Sequence, residues 1–149
     1  AGGHITQMMM GTRWPSLNEN LPNDLIKAGI PISPLSYLEP VRLTEALNSG
    51  IRMNQTEAES QSPMTNHAPV TNAPQMVAVG GLETREFHRQ AKMYVEAFNT
   101  ELRPVEFFKV QNVDHFDELN TLEKSDSLFF RKTIDLINNF WRHSNYIAI

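Results

Sequence analysis

The strongest constraint on folding lies between residues 75 and 110. An apolar run ending in glycines, Gln75-Met76-Val77-Ala78-Val79-Gly80-Gly81, precedes a helical pattern and a second run, Val105-Glu106-Phe107-Phe108-Lys109-Val110. Apolar runs this short and continuous read as strands buried on both faces, the condition of strands in a parallel sheet. Between them Thr84 is a fitting helix N-cap, and Phe87, Ala91, Tyr94, Val95, Phe98 and Leu102 recur at helical spacing until Pro104. A strand, a helix and a strand in this order indicate an α/β chain.

The flanking segments extend the alternation. Residues 2–11 place Ile5, Met8 and Met9 three and four apart, which predicts a helix with an apolar face opened by glycines, its methionines serving as core filler. Trp14-Pro15-Ser16 through Asp24 is turn chemistry. Residues 25–33 form an apolar run bounded by Pro34, expected to be a buried strand. Residues 36–74 carry Pro40, Pro63, Pro69 and Pro74 among much Asn, Ser and Thr, with helical patches at 44–48 and 56–61. They read as an irregular, lid-like excursion with too few apolar residues for a core of its own. After a loop at 111–116, a last helix is expected over about 125–142, with Leu128, Phe129, Leu136, Ile137, Phe140 and Trp141 as its apolar residues.

Three parallel strands are too few for a sheet covered by helices on both faces, because its edges would lack partners. Residues 1–149 are therefore expected to be the C-terminal part of one larger α/β domain. With 40% hydrophobic and 20% charged residues the composition is that of a soluble globular protein. A net charge of -4 and no basic run argue against a nucleic-acid partner. The absence of cysteine fits a reducing compartment, and no apolar run is long enough to span a bilayer. The expectation is a cytoplasmic protein without a membrane partner.

Ala1-Gly2-Gly3-His4, running into the first helical pattern, has the form of the second half of a nucleophile elbow. Small residues follow the nucleophile of such a turn because helix and strand pack closely there. Ala1 and Gly2 are read as those small residues, and a serine is expected immediately before Ala1. Ligand sites in open α/β sheets lie beyond the carboxyl ends of the strands, here after Ser33, Gly81 and Val110. Those loops hold Glu83, Glu86, Asp114, His115 and Asp117. A serine nucleophile needs a histidine to take its proton and a carboxylate to orient that histidine.

His115 follows the last strand and is the candidate general base; His4, His67, His88 and His143 do not follow strands. Glu83 is the candidate acid in preference to Glu86, which sits in the first helical turn where a carboxylate favours the helix dipole. Asp114 is a poorer choice, since adjacent side chains on an extended loop point apart. The acidic cluster around His115 lacks a second histidine or cysteine at ligand spacing, so no metal is expected. Gly80-Gly81 belongs to no phosphate-binding pattern, and no cofactor is expected.

Taken in order, Ala1-Gly2-Gly3-His4, Ile32-Ser33-Pro34-Leu35, Ser62-Pro63-Met64, Val79-Gly80-Gly81-Leu82-Glu83, Glu86-Phe87-His88-Arg89-Gln90 and Asp114-His115-Phe116 resemble the C-terminal half of the kynurenine formamidase (arylformamidase) group of α/β-hydrolases. The resemblance implies a serine hydrolase that releases formate from N-formyl-L-kynurenine in tryptophan degradation. It makes His115 the catalytic histidine and puts Glu83 where animal members have aspartate. It also makes the Ala1 backbone N–H an oxyanion donor. Tyr37 and Phe116 are expected as aromatic pocket walls. The expected partners are a small-molecule substrate and the N-terminal half of the same domain, with a homodimer left open. A general carboxylesterase acting on small esters is the alternative, and a non-catalytic hydrolase-like binding domain is the alternative of another class.

Overall fold

The computed structural model describes residues 1–144, with side chains through residue 139. Helix α1 (Gly2–Met10) leads into a long connection and four short helices, α2 (Glu39–Leu43), α3 (Glu45–Ile51), α4 (Gln55–Ser60) and α5 (Pro63–Asn66). Strand β1 (Gln75–Gly80), helix α6 (Arg85–Phe98), strand β2 (Val105–Val110), the short α7 (Asp117–Asn120) and α8 (Leu128–Ser144) complete the order.

The chain is mixed α/β around a small parallel sheet. β1 and β2 pair in register from Gln75 opposite Val105 to Gly80 opposite Val110. Residues 25–33, expected as a regular strand, are only partly one. Gly29 and Ile32 form isolated parallel bridges to Gln75 and Ala78. The Gly29 and Ser33 N–H groups donate to the Pro74 and Ala78 carbonyls, and the Gly29 and Pro31 carbonyls accept from Met76 and Ala78. Pro31 has no N–H, and Ser33 leaves the extended conformation at φ 43°, so the ladder breaks on both sides of Ile32. β1 is thus central and buried along its whole length.

Period-two alternation sends β1 side chains to two cores. Val77 and Val79 pack with Val105, Ala91 and Tyr94 on the α6 side. Met76 and Ala78 pack with Val110 and Phe129 on the α8 side. Both faces of this sheet are therefore covered. The α6 face expected from the sequence reaches Phe98 but not Leu102, which is 75% exposed. The helix stops earlier because Asn99 turns extended and its side chain accepts from Val105 N–H, while Arg103 Nε donates to the Phe98 carbonyl. Phe140, Trp141 and His143 have side chains outside the described residues.

Two expectations are corrected. The inner row of α1 is Gly3, Gln7 and Met10, whereas Ile5 and Met9 are exposed. A 3.6-residue period fits either row; the closeness of α1 to the sheet selects the one that begins with glycine. Residues 36–74 are also not coreless, for Leu38, Val41 and Ala58 form a buried cluster flanked by Leu35 and Met53. Buried Ser62 joins it, accepting from Leu38 N–H and donating to the Ala58 carbonyl. Among the described residues, no helix is long and apolar enough to cross a membrane.

Candidate active site

The carboxyl ends of the parallel segments bring together Ser33, Glu83, His115 and Glu118. The turn after β1 is held by Gly81 N–H donating to the Val110 carbonyl and Leu82 N–H donating to the Val113 carbonyl. A side chain at Gly80 would lie 2.8 Å from the Asp114 carbonyl oxygen, so glycine lets the loop after β2 cross directly over the end of β1. That crossing sets Glu83 against His115. Glu83 Oε2 lies 2.9 Å from His115 Nδ1, and Glu83 Oε1 accepts from Gly80 N–H at 2.9 Å. Phe87, from the first turn of α6, packs its ring 5.2 Å from the imidazole.

Ser33 and Glu118 were not singled out as site residues by the sequence. The Ser33 hydroxyl hydrogen-bonds Glu83 Oε1, and its oxygen lies 2.5 Å from Glu118 Oε2. Both residues are buried. The one legible signal was positional: Ser33 ends an apolar run, and Glu118 lies within one helical turn of His115. Ser33 also has the left-handed backbone found at strained catalytic turns, yet it is enclosed by carboxylates and is not hydrogen-bonded to the imidazole. Its hydroxyl therefore contacts the acid side of the Glu83–His115 pair and not the base.

The electrostatics separate the two carboxyl groups. Burial alone would raise the Glu83 pKa, but hydrogen bonds from Ser33, His115 and Gly80 outweigh it and hold the group below its ordinary value. Glu118 is pushed up to about 7, chiefly by burial and then by the negative charge of Glu83. At neutral pH Glu83 is an anion able to fix one nitrogen of His115, which leaves Nε2 as the ring nitrogen for proton transfer.

The other expected residues fall as follows. Asp114 Oδ1 accepts from the Phe116 and Asp117 N–H groups and so shapes the start of α7. Glu86 pairs with Arg89 and accepts from Gln90. Asp117 accepts from Asn120. His4 and His67 bond the Gln61 and Ser60 carbonyls, and His88 lies edge-on to Phe107. Phe116 meets His115 edge-on at 5.5 Å but is 81% exposed. Tyr37 donates its backbone N–H to Gln90 Oε1. A cleft of about 760 Å³ is lined by neither aromatic ring; Ile26, Pro74, Gln75, Pro104 and Leu136 put it at the amino ends of the strands, away from His115.

The amino end of α1 also reaches the site. A side chain at Gly3 would lie 2.1 Å from the Ile32 carbonyl oxygen and 2.9 Å from the Pro34 Cα, the two neighbours of Ser33. The residue whose smallness this approach requires is Gly3, not Gly2, where an added Cβ would meet open space.

No family model matches the chain. Among curated proteins, a kynurenine formamidase of Danio rerio is 26% identical over 141 residues, which cover 92% of this chain and 47% of that protein. The chain spans about half the length of this relative.

Proposed function

We propose that the chain supplies the histidine and acid of a serine hydrolase of the α/β-hydrolase class, with the activity of a kynurenine formamidase. The observation that carries this reading is the Glu83–His115 pair, 2.9 Å between Oε2 and Nδ1, at the carboxyl ends of parallel strands. The relative from Danio rerio supports the substrate class, and the close approach of Gly3 to Ile32 supports an elbow at the start of α1.

In this reading the nucleophile is a serine bonded to the amino end of Ala1 in the full-length polypeptide. Its oxygen attacks the formyl carbon of N-formyl-L-kynurenine while His115 Nε2 takes its proton. The Ala1 N–H donates to the oxygen that becomes negative. Collapse of the tetrahedral intermediate breaks the C–N bond, and His115 returns the proton to the departing arylamine. Water, deprotonated by His115, then releases formate and restores the serine. Glu83 holds the imidazole tautomer and stabilises the imidazolium.

The test uses the full-length protein. His115→Ala is expected to abolish release of kynurenine from N-formyl-L-kynurenine while circular dichroism stays native. Retained turnover, or failure of the native protein to react with a fluorophosphonate, refutes the reading. Faster turnover of short p-nitrophenyl esters than of the formamide redirects it to a general esterase.

A further inference from the structure

Ser33 is flanked by two carboxyl groups but owns one hydroxyl proton. It can donate to one of them only, so the other contact requires a proton on the carboxyl group itself. The surroundings decide which carboxyl carries it. Glu83 receives Gly80 N–H on Oε1 and faces His115 Nδ1 with Oε2, both suited to an anion. Glu118 is fully buried; Oε2 meets Ser33, and among the described residues Oε1 has no hydrogen-bond partner. A buried carboxylate with an orphaned oxygen is costly, whereas a neutral acid leaves only a carbonyl unpaired.

We propose that Glu118 is a positioning residue for the reaction above: as a neutral acid it donates to Ser33 Oγ, so that Ser33 donates to Glu83 and Glu83 stays locked on His115 Nδ1. The inference rests on the hydrolase reading for its effect on turnover, though not for the protonation of Glu118. Each member of the relay has one direction of donation, Glu118 to Ser33 to Glu83, with His115 Nδ1–H donating to Glu83 from the other side. Ser33, whose hydroxyl meets both acids, has a left-handed backbone at φ 43°.

Ionisation of Glu118 would reverse the relay. The charged or titratable groups acting on it are Glu83, from the turn after β1, and His115, from the loop that leads into α7. Burial, the largest effect, and Glu83 both oppose a charge on Glu118, whereas the hydrogen bond with Ser33 and the neighbouring His115 favour it. Once charged, Glu118 competes for the single Ser33 proton, and Glu83 loses its anchor.

The experiment is run on the full-length protein. In infrared difference spectra near pH 6, the carbonyl stretch of a buried neutral carboxylic acid is expected in the native protein, to titrate away near neutrality, and to be missing in Glu118→Gln. Glu118→Ala is expected to lower kcat on the order of tenfold with KM little changed, as loss of an outer partner does. Glu118→Gln, whose amide N–H can donate to Ser33 but cannot titrate, should restore most of that loss and remove from the pH profile of kcat the component that titrates together with the infrared band. Absence of the infrared band from the native protein overturns the proposal whatever the turnover. So does a Glu118→Gln profile indistinguishable from native. If His115→Ala keeps its turnover, the hydrolase reading fails by itself, and the infrared result still decides the protonation of Glu118.

Discussion

Glu83 and His115 form an asymmetric pair: the carboxylate side chain is 1% exposed and the imidazole 46%. A buried anion that holds a half-exposed base is the arrangement a proton-transferring histidine needs, since the carboxylate fixes the ring while the rest of the ring faces outward.

Replacing Glu83 with Gln keeps the shape but removes the charge and can present an amide N–H to Nδ1. Turnover by the full-length protein is expected to fall by about four orders of magnitude, as when a triad acid is neutralised. Steady-state kcat measures this, and a loss under tenfold contradicts the role of Glu83.

Gly3 and Gly2 should differ sharply. Gly3→Ala drives a methyl group to 2.1 Å from the Ile32 carbonyl oxygen, whereas Gly2→Ala meets nothing within 4 Å. The first is expected to destabilise the protein by about 1–3 kcal/mol, and the second to be neutral or slightly stabilising, as Ala is in helices. Urea midpoints at constant slope compare them.

Ser33 combines a left-handed backbone with a hydroxyl that two acids share. Ser33→Gly relieves the backbone and loses the hydroxyl; Ser33→Ala loses the hydroxyl and keeps the strain. Ser33→Ala should therefore be less stable than Ser33→Gly by about 1 kcal/mol. Equal midpoints would mean that the backbone relaxes when the hydroxyl is lost.

The raised pKa of Glu118 makes stability depend on pH. With the native value at about 7 against an ordinary 4.5, the folded state binds more protons between these limits, so stability from this group is full below 4.5 and is lost as pH rises through 7. The loss is on the order of 3 kcal/mol. Glu83 runs the other way: its lowered pKa contributes stability above 4.5 that is lost as pH falls. Glu118→Gln should therefore gain stability relative to native between pH 5 and pH 8. A native-to-variant difference that stays constant over that range contradicts a raised acid.

Much of the frame was legible in one dimension. The run at residues 75–81, the Thr84 start and the Pro104 stop mark β1, α6 and β2, because a fully buried strand must be apolar throughout and a helix must repeat its apolar face every three to four residues. His115 and Glu83 were legible as candidates by the same logic, each in a loop after such a strand, and the structure brings the two side chains together. Where periodicity was ambiguous the reading failed: Ile5 and Met9 promised the inner face of α1, but contact at Gly3 gave that face to Gln7 and Met10.

Ser33 and Glu118 show what local pattern cannot carry. A serine after an apolar run and a glutamate in a short acidic helix are ordinary in sequence, and 85 residues separate them. The sequence by itself determined the alternation of strands and helices and which loops could hold an acid and a base. Only the tertiary structure decided that two carboxyl groups share one hydroxyl, because protonation depends on burial and on neighbours brought from distant segments, which no local pattern encodes.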